Sequence, residues 1–572
     1  MSLAWKLKRL RAMSVPELLF RSSQSLRARK DRRRPKSILV EEAKLAYDSM
    51  ERPTKSYRVA FFDESFDYPA ELPDWHLDAK SQIRAPLDPW PTIDYRDAEK
   101  YGNPKNIWEL NRHSFLIDWN RYPSNDAMLA TVGIILHWIA ENPRPLGINW
   151  ASSLEHAFRM IAWQAAMEPY SSNTEIAPYL SIIRRSAQEQ IEHILQFPSL
   201  FSSANNHLVG ELVGVLAAGC LLDRNTAEPW ATNAWHNLIM EAGRQVTPDG
   251  VDREQANYYH AYVLGFFEKG RGYAQKLGLG MEDALDEVID KMSGFVGAMS
   301  RSPGIWFEIG DRDDGVMPLE RFPPPPQGDY LQVYPEGGYV IFREGDLRGC
   351  FRAGPFGYPS IAAHAHCDQL SIILSDGEEE LLTDSGTFCY HEDDFWRRYF
   401  KGTAAHNTVR VDGTDQAEFG GAFLWSTQAN GRLHQIAERE FEGAHDGYKR
   451  LADPVTHLRR VTLPSSDRLL QVADTLSGLG KPHGYELIWN FGQYVGLVAI
   501  GNRITLTTPS GKRFSMEIES SLPYTIETFY GDEQAPAGFY SRQFGQKSPI
   551  HQLRAKARGQ NWSVTTSLRR LP

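Results

Sequence analysis

The sequence predicts an α+β protein of more than one domain, in which a helical toroid precedes a large antiparallel β-sandwich. Three observations carry this prediction. The chain has 572 residues, whereas a single domain usually has about 100–200. From about Asp126 to Arg301, apolar residues recur with the 3.6-residue period of helices. After four consecutive prolines, Pro323 to Pro326, the apolar period becomes two, as in strands.

The chain begins with a strongly basic stretch, "MSLAWKLKRLRAMSVPELLFRSSQSLRARKDRRRPK". It contains neither the uninterrupted apolar core of a secretory signal nor the roughly 18 apolar residues of a membrane-spanning helix. We therefore expect a cytoplasmic location, with a periplasmic one as the alternative. The stretch fits a basic arm packed on the body of the protein or a peripheral contact with an anionic membrane. With its lead-in it occupies residues 1–100.

Residues 101–316 are predicted to form the toroid domain. Segments such as "DAMLATVGIILHWIAEN", "SSLEHAFRMIAWQAAM" and "NNHLVGELVGVLAAGCLLD" follow one another with short polar or Pro/Gly breaks. Serial helices of similar length pack as antiparallel pairs. Enough such pairs in succession curl into a toroid with a concave centre.

Residues 317–329 are predicted to be a proline-rich linker, because no helix can cross four prolines. Residues 330–572 follow as short alternating segments with frequent turns, among them "GYVIFREGD", "NTVRVDGTD" and "RITLTTPSGKRFSMEIES". Many short antiparallel strands over this length are typical of a β-sandwich. We expect a ligand-binding cleft between the two domains.

Composition excludes some classes of protein. The net charge of −10 gives no basic stripe for nucleic acid, and 42% hydrophobic residues argue against disorder. The four cysteines, Cys220, Cys350, Cys367 and Cys389, are scattered and contain no CxxC pair. We expect reduced thiols, as in intracellular proteins. Nothing in the sequence predicts the oligomeric state.

Two polar groups interrupt the helical half. Asn205, Asn206 and His207 stand just before a helix, where asparagine either caps the helix or, with the histidine and the helix dipole, binds a carboxylate. Tyr259 and His260 lie in the opening turn of a later helix. A buried tyrosine usually packs, but its phenolate is a strong base where neighbours lower its pKa.

The β half contains the stretch "SIAAHAHCDQLSIILSDGEEELLTDSGTFCYHED". Alternation along a strand would put His364 and His366 on one face, with Asp368 next along it. Asp384 ends the following strand, and His406 starts another. His366, Asp384 and His406 could meet at a tetrahedral Zn²⁺. Hydrogen-bonded polar residues at the end of a sheet are the alternative.

In order along the chain, "NNHLVGE", "DGVDREQANYYHAYVL", "HAHCDQLSIIL", "LLTDSGTFCY" and "RRYFKGTAAHNTVRVDG" resemble the heparinase II/III-like family of polysaccharide lyases and their alginate lyase relatives. The resemblance covers roughly residues 100–440 in motif. It implies an incomplete (α/α) toroid followed by an antiparallel β-sandwich. It also implies β-elimination on a polysaccharide that contains uronic acid.

The resemblance implies a role for each motif residue. Asn206 and His207 would neutralise the substrate carboxylate, Tyr259 would be the acid, and His364 would be the second catalytic group. The base would be either Tyr259 or His364. The metal would be one structural Zn²⁺ per chain on His366, Asp384 and His406, with Asp368 supporting the histidines. The residues expected to bind substrate are Asn205, Arg159, His260, Glu254 and Arg352, with a surface ion pair as the alternative for Arg159.

The chain also departs from the family pattern. Gly-His-Gly-His-Ala-Asp becomes Ala-His-Ala-His-Cys-Asp, and Glu-Gln-Ser becomes Glu254-Gln255-Ala256. The second catalytic tyrosine has no unique match, so Tyr390 is the first candidate and Tyr399 the second. The expected partner is an acidic polysaccharide linked to bacterial exopolysaccharide or surface glycan metabolism. The alternatives are a zinc-dependent glycan hydrolase and a non-catalytic glycan-binding protein.

Overall fold

The computed structural model describes residues 13–35, 37–222, 224–302, 305–358, 361–463 and 469–572. The first twelve residues of the predicted basic segment lie outside this range. The described chain forms two compact units. The helical unit comprises the described residues up to Ala242 with Gly265–Leu285 and Gly315–Pro318, and the β-rich unit comprises Gly243–Leu264, Asp286–Asp314 and the described part of Leu319–Pro572. The predicted domain limits of 1–100, 101–316, 317–329 and 330–572 stay a prediction.

The described helices are α1 Val15–Asp31, α2 Leu39–Ser49, α3 Ala98–Tyr101, α4 Pro104–Asn111, α5 Phe115–Trp119, α6 Asn125–Glu141, α7 Ser153–Met167, α8 Ala177–Gln196, α9 Asn206–Leu221, α10 Arg224–Gln245, α11 Asn257–Leu277, α12 Asp283–Met299 and α13 Asp394–Lys401. In the described part of the chain, no helix is both long enough and apolar enough to cross a membrane.

Glycines bring two helices of the helical unit into close contact. A Cβ added to Gly214 of α9 would lie 2.5 Å from Ala157 Cα on α7, and one added to Gly210 would lie 2.5 Å from Leu154 Cδ1. The absence of these side chains lets the two helices approach closely. The N-terminus of α9 is capped by Asn205, whose side chain accepts a hydrogen bond from the backbone N–H of His207.

The short strands β1 Tyr57–Phe61, β2 Glu64–Tyr68, β3 Leu77–Asp78 and β4 Ile83–Arg84 belong to the helical unit. The β-rich unit contains β5 Ser300–Ser302, β6 Ile305–Trp306, β7 Tyr330–Tyr334, β8 Tyr339–Glu344, β9 Leu347–Arg352, β10 Ile372–Asp376, β11 Glu379–Leu382, β12 Val409–Val411, β13 Phe419–Gly421, β14 Leu424–Trp425, β15 Gly431–Ala437, β16 Glu440–His445, β17 Val455–Thr462, β18 Leu470–Gly478, β19 His483–Asn490, β20 Gly496–Ile500, β21 Arg503–Thr507, β22 Arg513–Ser520, β23 Tyr524–Tyr530, β24 Phe539–Tyr540, β25 Ser548–Pro549, β26 His551–Gly559 and β27 Asn561–Arg570.

These strands form three larger antiparallel sheets. One has five strands in the order β11-β10-β9-β8-β7, one has four in the order β12-β19-β26-β23, and one has eight in the order β15-β16-β17-β18-β27-β22-β21-β20. Strands with alternating burial, such as β17 and β27, bury one face in a core that joins residues of all three sheets. A second core packs Phe295 and Met299 of α12 against Ile341 of β8.

Residues 307–329 form neither helix nor strand. The start of this segment is part of the packed interior, because Phe307 and Ile309 are buried in the second core. It carries Gly310, whose φ is +69°. A Cβ at Gly310 would lie 2.7 Å from the Gln255 carbonyl oxygen. Glycine therefore allows residues 310–311 to lie directly against the start of α11.

Candidate active site

The β-rich unit brings a group of buried polar side chains together beside the start of α11. The Asn257 backbone N–H donates to the Ile309 carbonyl (3.0 Å), and its side-chain amide donates to the Phe307 carbonyl (2.7 Å). These two hydrogen bonds fix the first turn of the helix to the 307–309 segment. Tyr259, in that turn, is 6% exposed.

Tyr259 contacts two of the other predicted catalytic residues. Its hydroxyl oxygen lies 2.9 Å from the hydroxyl oxygen of Tyr390. Its ring stacks on the imidazole of His364, with 3.6 Å between ring centroids and 17° between planes. The structure thus brings Tyr259, His364 and Tyr390 together. Tyr399, the second candidate, instead accepts a hydrogen bond from the Phe539 backbone N–H.

Asp311 holds both histidines of the His-x-His pair. His364 Nδ1 lies 3.1 Å from Asp311 Oδ2, and His366 Nε2 lies 2.9 Å from Asp311 Oδ1. The Arg397 guanidinium donates to both oxygens, at 2.5 and 2.6 Å. This carboxylate fixes the orientation of both rings and places the Nδ1–H of His364 towards Asp311.

The orientation of the two histidine rings does not come from alternation along a strand. Residues 361–371 form a loop, and β10 begins only at Ile372. The prediction that His364 and His366 share one face of a strand is therefore wrong. Positive φ angles at Ala362 (+47°) and Leu370 (+65°) turn this loop. The carboxylate of Asp311 positions the rings in place of a regular strand.

The charges at the site follow from burial and from pairing. Burial alone would raise the pKa of Asp311, but Arg397 and Lys401 hold that pKa well below its usual range. Burial raises the pKa of Tyr259 well above 10, and Asp313 and Tyr390 raise it further. Burial also raises the pKa of Tyr390. Both phenols are therefore protonated at neutral pH, which suits a proton donor.

His366, Asp384 and His406 form a set that can hold a metal ion. They lie respectively before β10, after β11 and before β12, and one potential ligand atom from each lies within 4.8 Å of the others. His406 Nδ1 lies 2.7 Å from Asp384 Oδ2. Asp384 Oδ1 accepts a hydrogen bond from the Gly386 N–H (3.0 Å).

The donor atoms fit a metal such as zinc. Among the described residues, His366 Nδ1 and His406 Nε2 are buried without a hydrogen-bond partner, which is unusual for buried polar atoms. Burial lowers the pKa of His366 to about 4, so its imidazole is neutral at pH 7. Imidazole and carboxylate are common zinc ligands, and Asp311 on His366 supplies the carboxylate that usually orients a ligating histidine.

Glu254 reaches the site, with Oε2 3.5 Å from His364 Nε2. Asn205, Asn206 and His207 lie in the helical unit at the N-terminus of α9, where Asn206 is 1% exposed and His207 is partly exposed. Their predicted roles, as a helix cap or a carboxylate site, stay predictions apart from the observed capping by Asn205.

Three residues predicted to bind substrate have structural partners instead. Arg159 is fully buried and donates to Gln190 and to the carbonyls of Asn111 and Asn149. Its predicted contact with a substrate carboxylate does not fit this position. The side chain of Arg159 therefore serves the interior of the helical unit.

His260 and Arg352 are also committed to the fold. His260 Nε2 contacts the Met292 carbonyl, and His260 Nδ1 accepts the Asp252 N–H. Arg352 pairs with Asp368, and both side chains are 1% exposed. Neither residue is free to contact a substrate. Asp368 was expected to support the histidines; its charge helps to raise the pKa of His406, whereas Asp311 holds His364 and His366.

Sequence reasoning missed Asp311, Arg397 and Phe423. Phe423 packs edge-on against Tyr390 and His364, with centroids 4.8 and 5.7 Å away. Asp311 stands in "GDRDDG", at the end of the predicted toroid domain and just before the predicted proline-rich linker. The available signal was the density of carboxylates there, at positions 311, 313 and 314.

Two models of one protein family match most of this chain. The model of the heparinase II/III N-terminus matches residues 35–288, and the model of the heparinase II/III-like C-terminal region matches residues 326–567. The chain belongs to the heparinase II/III-like family. The predicted family membership is thus confirmed, over nearly the whole chain.

One curated relative within this family is the heparin-sulfate lyase of Bacteroides thetaiotaomicron. It is 22% identical over 381 residues, which is 56% of this chain and 53% of that protein. The match therefore spans about half the length of the curated relative.

Solved structures of the heparinase II/III-like family share the fold. Heparinase III superposes with a TM-score of 0.66 and 15% identity, covering 93% of this chain and 92% of that one. The heparan sulfate lyase HepC from Pedobacter heparinus gives a TM-score of 0.58 and 16% identity, covering 95% and 84%. The predicted fold class, a helical toroid followed by an antiparallel β-sandwich, is confirmed.

Proposed function

We propose that this heparinase II/III-like protein is a polysaccharide lyase that cleaves a uronate-containing acidic polysaccharide by β-elimination. The observation that carries the proposal is the hydrogen bond between Tyr259 and Tyr390, with Tyr259 stacked on a histidine that a buried carboxylate orients. The relatives support the reaction class, since two of them are a heparin-sulfate lyase and a heparan sulfate lyase.

The reaction requires the residue types found at this site. The proton on C5 of a uronate is α to a carboxylate, so its removal builds negative charge on that carboxylate. A base must take this proton, and an acid must protonate the departing O4. The carboxylate itself must be neutralised by hydrogen-bond donors or cations.

Each residue then has one proposed role. With the Nδ1 proton of His364 directed at Asp311, its Nε2 carries the lone pair and accepts the C5 proton. Tyr259, a protonated phenol hydrogen-bonded to Tyr390, donates a proton to O4. Neutralisation of the substrate carboxylate by Asn206 and His207 stays a prediction from the family resemblance.

The metal, proposed to be one structural Zn²⁺, would be held by His366, Asp384 and His406. All three side chains are at most 2% exposed. A metal at this site would tie together the loops that flank β10, β11 and β12. A zinc hydrolase needs a coordination position open to substrate water, and the burial of these three residues favours the lyase over that alternative.

The proposed substrate class is a glycosaminoglycan-like or other uronate polymer. The link to bacterial exopolysaccharide stays a prediction, and so does the predicted location. A panel of heparan sulfate, alginate and uronate-containing bacterial exopolysaccharides covers these cases.

Ultraviolet absorbance of the digests tests the proposal. A lyase leaves a conjugated double bond at the new non-reducing end, whereas a hydrolase leaves reducing ends without that absorbance. Tyr259→Phe should slow product formation by about 100-fold or more. The matched control is Tyr399→Phe, which removes another buried hydroxyl of the same unit and should keep the wild-type rate. Reducing ends without absorbance, no cleavage across the panel, or full activity in Tyr259→Phe would each overturn the proposal.

A further inference from the structure

Helix α1 turns three polar side chains, Glu17, Arg21 and Gln24, towards the helical unit, and Phe20 beside them packs on Phe201. Glu17 is 6% exposed and accepts a hydrogen bond from the Ser202 hydroxyl (2.6 Å). Arg21 donates to the Ser202 and Ser203 hydroxyls, and Gln24 donates to the Pro198 carbonyl. These contacts lie at successive turns of one face of the helix.

The opposite face carries an apolar stripe. Val15, Leu19 and Leu26 are 69%, 68% and 65% exposed, and their spacing of four and seven residues puts them on one line along the helix. A surface helix of a water-soluble domain normally buries such a stripe and exposes its polar residues. In α1 the line of Val15, Leu19 and Leu26 is left exposed, so the stripe is suited to an apolar partner.

Basic residues flank and extend this stripe. Arg29 and Lys30 lie on either side of its line, three and four residues after Leu26. The exposed cationic side chains at the end of the helix are Arg27, Arg29, Lys30, Arg32, Arg33 and Arg34. Two acids lie beside them: Asp31 is buried and bonded to Arg144 and to Trp90 Nε1, and Glu192 lies 4.0 Å from Arg34. The surface is therefore strongly cationic in a chain whose net charge is −10.

We propose that the outer face of α1 binds the surface of an anionic phospholipid bilayer. The three apolar side chains would enter the boundary between headgroups and acyl chains, and the basic residues would contact the lipid phosphates. A polyanion such as an acidic glycan would engage the basic residues alone and gain nothing from the leucines. The exposed leucines thus favour a bilayer.

The test uses the full chain and vesicles of phosphatidylcholine with or without 30% phosphatidylglycerol, separated by flotation. We expect binding to the anionic vesicles, at least tenfold weaker binding to pure phosphatidylcholine, and weaker binding at 0.5 M than at 0.1 M NaCl, because salt screens surface charges. Leu19→Glu with Leu26→Glu should lower anionic vesicle binding at least tenfold. These side chains point outwards, so the fold should persist, as circular dichroism would verify.

The matched control is Leu479→Glu, which charges another exposed leucine (75%) in the β-rich unit and should bind vesicles as the wild type does. Failure of the wild-type chain to bind anionic vesicles would overturn the proposal. Unchanged binding by the Leu19→Glu, Leu26→Glu variant would overturn it as well. Loss of binding on Arg29→Glu with Lys30→Glu, but not on the leucine changes, would identify a polyanion site instead. The wild-type chain could instead form dimers in the absence of vesicles, and the leucine changes could dissociate them. That result would identify a self-association surface and would also overturn the proposal.

Discussion

Asp311 is fully buried yet remains ionised, because the Arg397 guanidinium contacts both of its oxygens. Asp311→Asn would leave Arg397 as an uncompensated buried charge and would release His364. We expect a loss of about 3 kcal/mol or more in unfolding free energy, and a large fall in kcat. Urea denaturation and the absorbance assay measure the two effects.

The control for this change is Asp376→Asn, which removes another buried carboxylate of the β-rich unit, paired with the partly exposed Lys512 and Arg570. It should lower stability while kcat per folded molecule stays at the wild-type value. Equal effects of both changes on kcat would show that Asp311 acts through folding alone.

Metal content tests the assignment of His406. His406→Ala should lower the metal bound per chain, measured by mass spectrometry of the dialysed protein, and should lower the melting temperature. His457→Ala is the matched control, since His457 is equally buried and equally close to a carboxylate, with Nε2 2.7 Å from Asp474. It should destabilise the protein and leave the metal content unchanged. Wild-type metal content in His406→Ala would remove His406 from the ligand set.

Some residues of the site could be predicted from the sequence, and others could not. His366, Asp384 and His406 could be grouped because each stands next to a recognisable strand pattern. Asp311 could not, because it lies 53 residues before His364 in a segment with no periodicity. Arg159, His260 and Arg352 were misassigned because polar residue type alone does not distinguish a ligand contact from a buried hydrogen-bond network.

At the scale of elements, the turn after β11 determines where Asp384 points. Gly386 has a φ of +72°, pairs with Ser541 and donates its N–H to Asp384. A Cβ at this position would lie 2.2 Å from the Ser541 carbonyl oxygen. The backbone must therefore move if any side chain is introduced.

Gly386→Ala should consequently lower the unfolding free energy by more than about 2 kcal/mol and reduce metal binding. Gly377→Ala, in the β10–β11 turn, is the control, because φ is +62° and the added Cβ meets no atom within 4 Å. Only the backbone penalty of about 1 kcal/mol applies there. Denaturation curves of both variants measure the difference, and similar losses would contradict the steric argument.

Elements were easier to predict than the loops between them. The apolar segments 125–141 and 206–221 correspond to α6 and α9, which are buried on nearly all sides. The two-residue pattern in 455–462 corresponds to β17, which buries one face. The 361–371 loop was misread as a strand. Its backbone follows positive φ angles and a contact with Asp311, and neither leaves a periodic signal.

At the scale of the molecule, many buried histidines are neutral in the folded state. Burial lowers the pKa of His76, His113, His137, His156 and His193 in the helical unit, and of His260, His366, His445 and His457 in the β-rich unit. The value is about 4 for His137 and for His260. Unfolding restores an ordinary pKa of about 6.5.

The unfolded chain therefore binds more protons than the folded chain between pH 6.5 and about 4, and stability falls as the pH is lowered through this window. Each histidine with a folded pKa of about 4 contributes up to about 3 kcal/mol. We expect the urea midpoint to drop steeply from pH 7.0 to 4.5, in transitions of both units. A midpoint that is unchanged at pH 4.5 would contradict this expectation.

The whole-molecule prediction succeeded because two different periodicities in one chain leave few alternatives for fold class. The division of the chain into two compact units does not follow the change in periodicity. Residues 286–314 are largely helical at their start, yet they belong to the β-rich unit, because Phe295 and Met299 pack onto its five-stranded sheet. A long-range contact of this kind is invisible to local pattern analysis.

The sharing of Asp311 by His364 and His366 has a practical consequence for protein engineering. The two imidazoles are bonded to different oxygens of one rigid group, so neither ring can be reoriented without disturbing the other. A designer who transplants the segment around residues 361–371 into another scaffold would obtain two freely rotating rings. The transplant must include the separate segment that carries Asp311 and the helix that carries Arg397.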